Sequence, residues 1–168
     1  ALGVSMTSYL GASFMLAIYH DMPALERKKP ISISLPVNLR NYYPSETARN
    51  FFNSVCIAHT LTPEDTLETV APVFDAKLKE VLKPENIRAQ MEDRHVSAVV
   101  SNMGRVSIPE GMKPYIHNFA AFSSCKTLFT VVCSYGDDLV LGTASALRST
   151  AILQRLYREF AKDGLDVT

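Results

Sequence analysis

The sequence has no surplus of charge: 17 basic and 17 acidic side chains cancel to a formal net charge of zero at pH 7. A surface that tracks phosphates needs a basic excess. The densest basic cluster, Glu26-Arg27-Lys28-Lys29, includes an acid and reads as a solvated loop, so no nucleic acid is expected as a partner. Long apolar runs are also missing. The longest early one, Leu10 to Tyr19, is about half of what spans a bilayer, so no membrane span is expected. It lacks the basic flank and small-residue cleavage site of a signal peptide. Cysteine is scarce, and its three copies (Cys56, Cys125, Cys133) have neither metal-like nor redox-like spacing. They read as reduced core thiols, with a cytoplasmic location as the expectation.

Catalytic signatures are absent too. There is no glycine-rich phosphate loop, no HExxH, no CxxC pair and no GxSxG elbow. His20, His59, His95 and His117 are far apart, no two with metal-ligand spacing, and each reads first as a surface or hydrogen-bonded structural residue. The carboxylates show no pairing. No metal site and no permanently bound cofactor is expected.

What the chain does have is one domain's worth of residues, 168, with 47% apolar content, enough for a real core. Met6, Tyr9, Leu10, Phe14, Ala17 and Ile18 recur at helical spacing, so residues 3–20 read as an amphipathic helix. "ISISLPVNLR" (31–40) alternates with period two, a strand with one buried face, and Pro36 inside it marks an edge or a bulge. Residues 49–61 read as a second strand. Thr62-Pro63 with Asp65 looks like a helix start, followed by one stripe of Leu67, Val70, Ala71, Phe74, Leu78, Val81 and Leu82. Pro72 conflicts with a straight helix and predicts a kink, or a true start near Ala71. Pro84 opens a further helix holding Ile87 and Met91. Strands then read at 97–102, 105–108, 116–122, 127–135 and 138–145, with Gly136-Asp137-Asp138 as the turn between the last two. Ile152, Leu153, Leu156 and Phe160 give a terminal helix stopped by Gly164. Helices in blocks beside strands imply an α+β two-layer sandwich: a mixed, mostly antiparallel sheet with helices on one face.

"SLPVNLRNYYPSETARNFFNSV" (34–55) resembles the "PVNxR…P…NFxxS" segment of the chloramphenicol-acetyltransferase-like superfamily, most of all its alcohol acetyltransferase members, relatives of condensation domains. "VSNMGRVSIP" resembles the group's SNxG strand, and "CSYGDDLVLGTASALRSTAILQRLYREF" its closing two strands and helix. The resemblance covers roughly residues 1–165. It implies two similar lobes with a tunnel between them, and a general-base histidine in an HxxxD motif of the amino-terminal lobe. This sequence departs there: the residues four after its histidines are Ala24, Pro63, Val99 and Ala121. "TASALRST" (143–150) stands where single-domain relatives carry HHxxxDG, with Arg148 in place of the acid. The chain, which starts at Ala1, is therefore expected to be one domain (1–168), the carboxy-terminal lobe of a longer acyltransferase whose amino-terminal lobe is its partner.

The resemblance assigns five positions. Ser101 matches the hydroxyl that faces the tetrahedral intermediate; alternatively it is a strand-end residue satisfying its own turn. Arg40 matches an arginine that pairs with the HxxxD aspartate and holds the histidine loop; alternatively it is a surface arginine at a strand end. Asn50 falls in the tunnel wall, where Arg49 replaces a common glycine, and Asn102 and Gly104 belong with the substrate passage. The implied activity is O-acyl transfer from acyl-CoA (acetyl-CoA as co-substrate) to a small alcohol, the separated lobe being inactive. A condensation-type domain using carrier-bound acyl groups and a non-catalytic interaction domain of the same fold remain alternatives. An exposed lobe interface predicts a homodimer of the fragment.

Overall fold

The computed structural model describes residues 2–89, 96–125 and 127–168. Met91 and His95 lie outside them. Four helices, α1 (Met6–Asp21), α2 (Leu67–Val81), α3 (Pro84–Ala89) and α4 (Ala151–Lys162), accompany five strands: β1 (Ile31–Asn38), β2 (Phe52–His59), β3 (Ala98–Arg105), β4 (Leu128–Tyr135) and β5 (Asp138–Ser145). The strands form one sheet in the order β2-β1-β3-β4-β5. The outer pairings, β1–β2 and β4–β5, are antiparallel, and the inner pairings, β1–β3 and β3–β4, are parallel. The mixed α+β sheet is as expected; its antiparallel share is half of the pairings. No helix among the described residues is long and apolar enough to cross a membrane.

The alternation of Ile31, Ile33 and Leu35 turns one face of β1 into the core, where it meets Val55 and Ile57 of β2, Ala98 and Val100 of β3, and Val132 of β4. Helices α1, α2 and α4 cover that face, with Leu10, Phe14, Phe74 and Leu156 all at 2% exposure or less. α1 differs from the expected amphipathic helix. Ser8, Gly11, Ala12, Ser13, Phe14 and Met15 are all buried, so it is enclosed on nearly every side between α2, α4 and the sheet. Small residues make this possible. A Cβ at Gly11 would lie only 2.7 and 2.8 Å from the Cε1 and Cε2 atoms of Phe74.

Asp75 ties the two helices together. Its carboxylate accepts from the Ser5 backbone N–H (3.2 Å) and the Ser8 hydroxyl (2.7 Å) at the start of α1, and pairs with Lys79 at 2.6 Å. The Lys79 contact above all, then the Ser8 bond, holds its pKa at about 2.

Four sequence expectations are corrected. α2 starts at Leu67, capped by Thr66, whose N–H donates to Thr69 Oγ1 at 3.0 Å. Thr62 and Asp65 instead form a turn before it, the Thr62 N–H donating to Asp65 Oδ2 at 2.7 Å. The helix runs through Pro72 and does not begin near Ala71. The strand read at 97–102 runs on through a bulge to Arg105 as β3, and no separate strand forms at 105–108. The apolar segment 116–122 is not a strand. It lies across the face of β4 and β5 that the helices leave open: Tyr135 donates to the Ile116 carbonyl (2.8 Å), and the buried Cys133 thiol faces the Phe119 carbonyl (3.8 Å). Gly142 of β5 is needed there, because a Cβ would run into the Ala121 carbonyl oxygen.

Candidate functional site

The inner strands part company near their carboxyl ends. β1 and β3 are paired only at Ile33–Ala98 and Ser34–Val99. The Ser97 N–H donates to the Ser32 carbonyl at 2.9 Å, so even-numbered residues of β1 present their backbone groups to β3. By that alternation the nitrogen of Pro36 points at β3 and has no hydrogen to give. Beyond Ser34 the two strands diverge, and a cleft of about 400 Å³ opens between Pro36, Val37 and Asn38 on one side and Ser101 and Asn102 on the other. Crevices at the carboxyl ends of parallel strands are common ligand sites, because the ladder's end leaves backbone and side chains facing open space.

The loop from Ala48 to Phe52 and Arg40 complete the lining. Asn38 caps a single turn of 3₁₀ helix (Leu39–Asn41) by accepting from the Arg40 N–H at 3.1 Å, which turns the chain sharply out of β1. The Arg40 guanidinium then reaches along the returning loop. Its Nη2 donates to the carbonyls of Thr47 (2.7 Å) and Arg49 (3.0 Å), and its Cζ lies over the Phe51 ring, 5.8 Å from the ring centre. Arg40 thus clamps the loop that carries Asn50. Both bonds leave Nη2, and none of the described ion pairs involves Arg40. Four of the five positions singled out in the sequence, Ser101, Arg40, Asn50 and Asn102, line this one cleft.

Ser101 is half-buried, and its hydroxyl has no hydrogen-bond partner among the described residues. Its neighbour Val100 is buried in the helix-facing core at 1% exposure, so strand alternation turns Ser101 to the opposite face. Directly after it comes the bulge. Asn102 pairs with Val132 and Gly104 with Cys133, leaving Met103 as the extra residue. Gly104 takes a φ of +73°, which a side chain would resist, although a Cβ there would meet nothing within 4 Å. The glycine therefore serves the turn, not a close approach within this chain. It lines a second groove of about 340 Å³ with Met6, Leu139 and the Gly136–Asp138 turn; Asn102 separates that groove from the cleft.

Among the described residues, neither cleft nor groove holds a histidine. His20 and His117 are exposed, and His59 sits at the far end of β2, where Lys77 Nζ stands 3.3 Å from its Nδ1. Burial, then the Lys77 charge, lowers the His59 pKa. No group of three or more histidine, cysteine, aspartate or glutamate side chains among the described residues could hold a metal ion. Sequence reasoning did not find the wedge role of Pro36 or the pairing of Asn102 with Thr7 described below. The only signal for the first was a proline within an alternating strand.

No protein-family model and no curated protein matches the sequence. Solved structures do. Polyketide synthase associated protein 5 from Mycobacterium tuberculosis superposes with a TM-score of 0.66 at 12% identity, over 94% of this chain and 44% of that one. The condensation domain that mediates chain release from the enacyloxin polyketide synthase gives 0.59 at 14% identity, over 96% and 36%. The first condensation domain of the CDA synthetase gives 0.59 at 14% identity, over 96% and 39%. The chain has the fold of half a condensation-type domain. Nearly all of this half-domain is matched while it spans less than half the length of each of these relatives.

Proposed function

We propose that this half-domain is the carboxy-terminal lobe of a two-lobed acyltransferase of condensation type, which moves an acyl group from a thioester to a nucleophile on a second substrate. The observation that supports this most is the cleft at the parted ends of β1 and β3, which gathers an unpartnered serine hydroxyl, Asn50 and the Arg40 fork around one opening. Among the described residues, the cleft presents donors and no base. In the working enzyme the amino-terminal lobe provides a histidine that takes the acceptor's proton. The acceptor attacks the thioester carbonyl, and the oxygen that gathers negative charge accepts from the Ser101 hydroxyl. Collapse of the tetrahedral species breaks the carbon–sulfur bond, and the thiolate leaves with the proton. One preorganised donor at such an oxygen contributes about 10²–10³ in rate. Arg40, whose Nη1 and Nε have no partner among the described residues, keeps donors for a carboxylate of the facing lobe while Nη2 holds the Asn50 loop.

The donor is read as an acyl group on a carrier domain, in keeping with the condensation domains among the structural relatives. A second reading, acetyl-CoA as donor and a small alcohol as acceptor, is favoured by the sequence likeness of residues 34–55 and 100–109 to alcohol acetyltransferases. The test is the polypeptide that carries both lobes, assayed with carrier-borne and CoA-borne acyl donors beside its Ser101→Ala variant. The expected result is turnover with one donor class, a fall in kcat of about 10²–10³ on removing the hydroxyl, and none from the 168-residue chain alone. Unchanged kcat in the variant, or robust turnover by the lone chain, overturns the reading.

A further inference from the structure

Asn102 lies between the two grooves and faces both, yet its side chain is engaged within the protein. Its Oδ1 accepts from the Gly104 N–H at 2.8 Å, closing a turn around the extra residue Met103. Its Nδ2 donates to Thr7 Oγ1 at 3.0 Å, in the first turn of α1. That turn is itself anchored, since the α1 cap Ser5 and the buried Ser8 both donate to Asp75 on α2. Polar contacts thus tie α2 to the start of α1, and the first turn of α1 to the residue that follows Ser101. A bulge bends its strand and re-aims the side chains beside it. The Gly104 bond sets the shape of the bend; the Thr7 bond fixes it to the helix layer.

We propose that Asn102 is a positioning residue: it locks the bulge after Ser101, and through Thr7 registers the Ser101 hydroxyl against the helix layer, instead of serving as a ligand to substrate. The inference rests on the reading of Ser101 as the oxyanion donor. Its structural half is measured on the chain as it stands. Asn102→Ala accelerates amide exchange at Gly104, and Asn102→Ser, whose hydroxyl caps the same turn more weakly, restores part of the protection.

The functional half uses the two-lobed polypeptide. Asn102→Ala lowers kcat by about 10- to 100-fold, the scale of a small misplacement of a catalytic group, with KM unchanged, and Asn102→Ser recovers part of it. Thr7→Val gives a smaller loss of the same kind, and it carries the comparison if Asn102→Ala does not fold. In a Ser101→Ala background the Asn102 and Thr7 substitutions cost nothing further, because the group they position is gone. A rise in KM with kcat intact makes Asn102 a substrate ligand and overturns the inference. So do losses that multiply with that of Ser101→Ala, or unchanged Gly104 exchange. If Ser101→Ala itself has no effect, the oxyanion reading falls, while the exchange experiment still decides whether Asn102 locks the bulge.

Discussion

Gly11→Ala sets two effects of known sign against each other inside α1. Replacing glycine by alanine within a helix stabilises by about 1 kcal/mol, through lost unfolded-state freedom. Against that, the new methyl would stand 2.7 Å from Phe74 Cε1, where ordinary contact begins at 3.4 Å, and closer still to Cζ. The ring must therefore withdraw by at least 0.7 Å, and Phe74 is 2% exposed in a protein core, where side chains are close-packed. Overpacking of this kind costs about 1–3 kcal/mol, and displacement of a whole ring belongs at the upper end. The net expectation is a loss of about 1–2 kcal/mol, a fall in Tm of about 2–8 °C for a chain of this length. Urea and thermal unfolding measure it. Phe74→Leu removes the ring atoms concerned and leaves a void, so it too destabilises alone. Combined with Gly11→Ala, the methyl occupies that void, and the double mutant is more stable than the sum of the singles by about 0.5–3 kcal/mol. Stabilisation by Gly11→Ala alone, or strict additivity with Phe74→Leu, refutes the close approach of α1 and α2.

Asp75→Ala leaves the Ser5 N–H and the Ser8 hydroxyl without their acceptor and costs about 1–3 kcal/mol. Because the folded-state pKa of Asp75 is about 2 against 3.8 when free, the carboxylate's contribution is full above pH 3.8 and is lost as pH falls through about 2. The stability gap between wild type and variant therefore narrows on acidification across that window, as acid-dependent unfolding curves would show; a constant gap argues against the assignment. Gly142→Ala drives a methyl into the Ala121 carbonyl and lifts the 116–122 segment off the sheet, giving faster proteolysis near Phe119 and Phe122 with the helix-facing core intact. Gly104→Ala meets no steric obstacle, so it costs only the left-handed backbone strain of about 1–2 kcal/mol; a larger loss points to a contact absent from this chain.

Much of the architecture was legible because periodicity reports which faces are buried. Ile31, Ile33 and Leu35 announce a one-sided strand, and the Leu67–Leu78 stripe announces α2. The errors arise where one pattern has two physical causes. Ile116, Phe119 and Ala121 look like strand residues because they cover a sheet face, but they pair with no strand. β3 looked as if it ended at Asn102, with a new strand after it, because Gly104 breaks the alternation at a bulge. Thr62 and Asp65 imitate a helix cap because the same side-chain-to-backbone bond closes an isolated turn. α1 looked amphipathic because Ser8 and Ser13 count as polar, whereas their bonds to Asp75 and the Tyr9 carbonyl let them be buried. For the site, the motif likeness picked out Ser101, Arg40 and Asn50, which converge on one cleft. Spacing could not reveal that Arg40 grips its own loop, nor that Asn102 reaches Thr7, because both depend on how the chain folds back.

Pro36 gives the parted strands a permanence that side-chain packing alone would not. Like a zipper whose next tooth was never cut, the β1–β3 ladder stops where its next donor is missing, and thermal motion cannot close it further by that rung. The end of the ladder is therefore written into covalent chemistry. A guest need not spend binding energy separating the strands, and affinity at this wall should depend on what the guest touches.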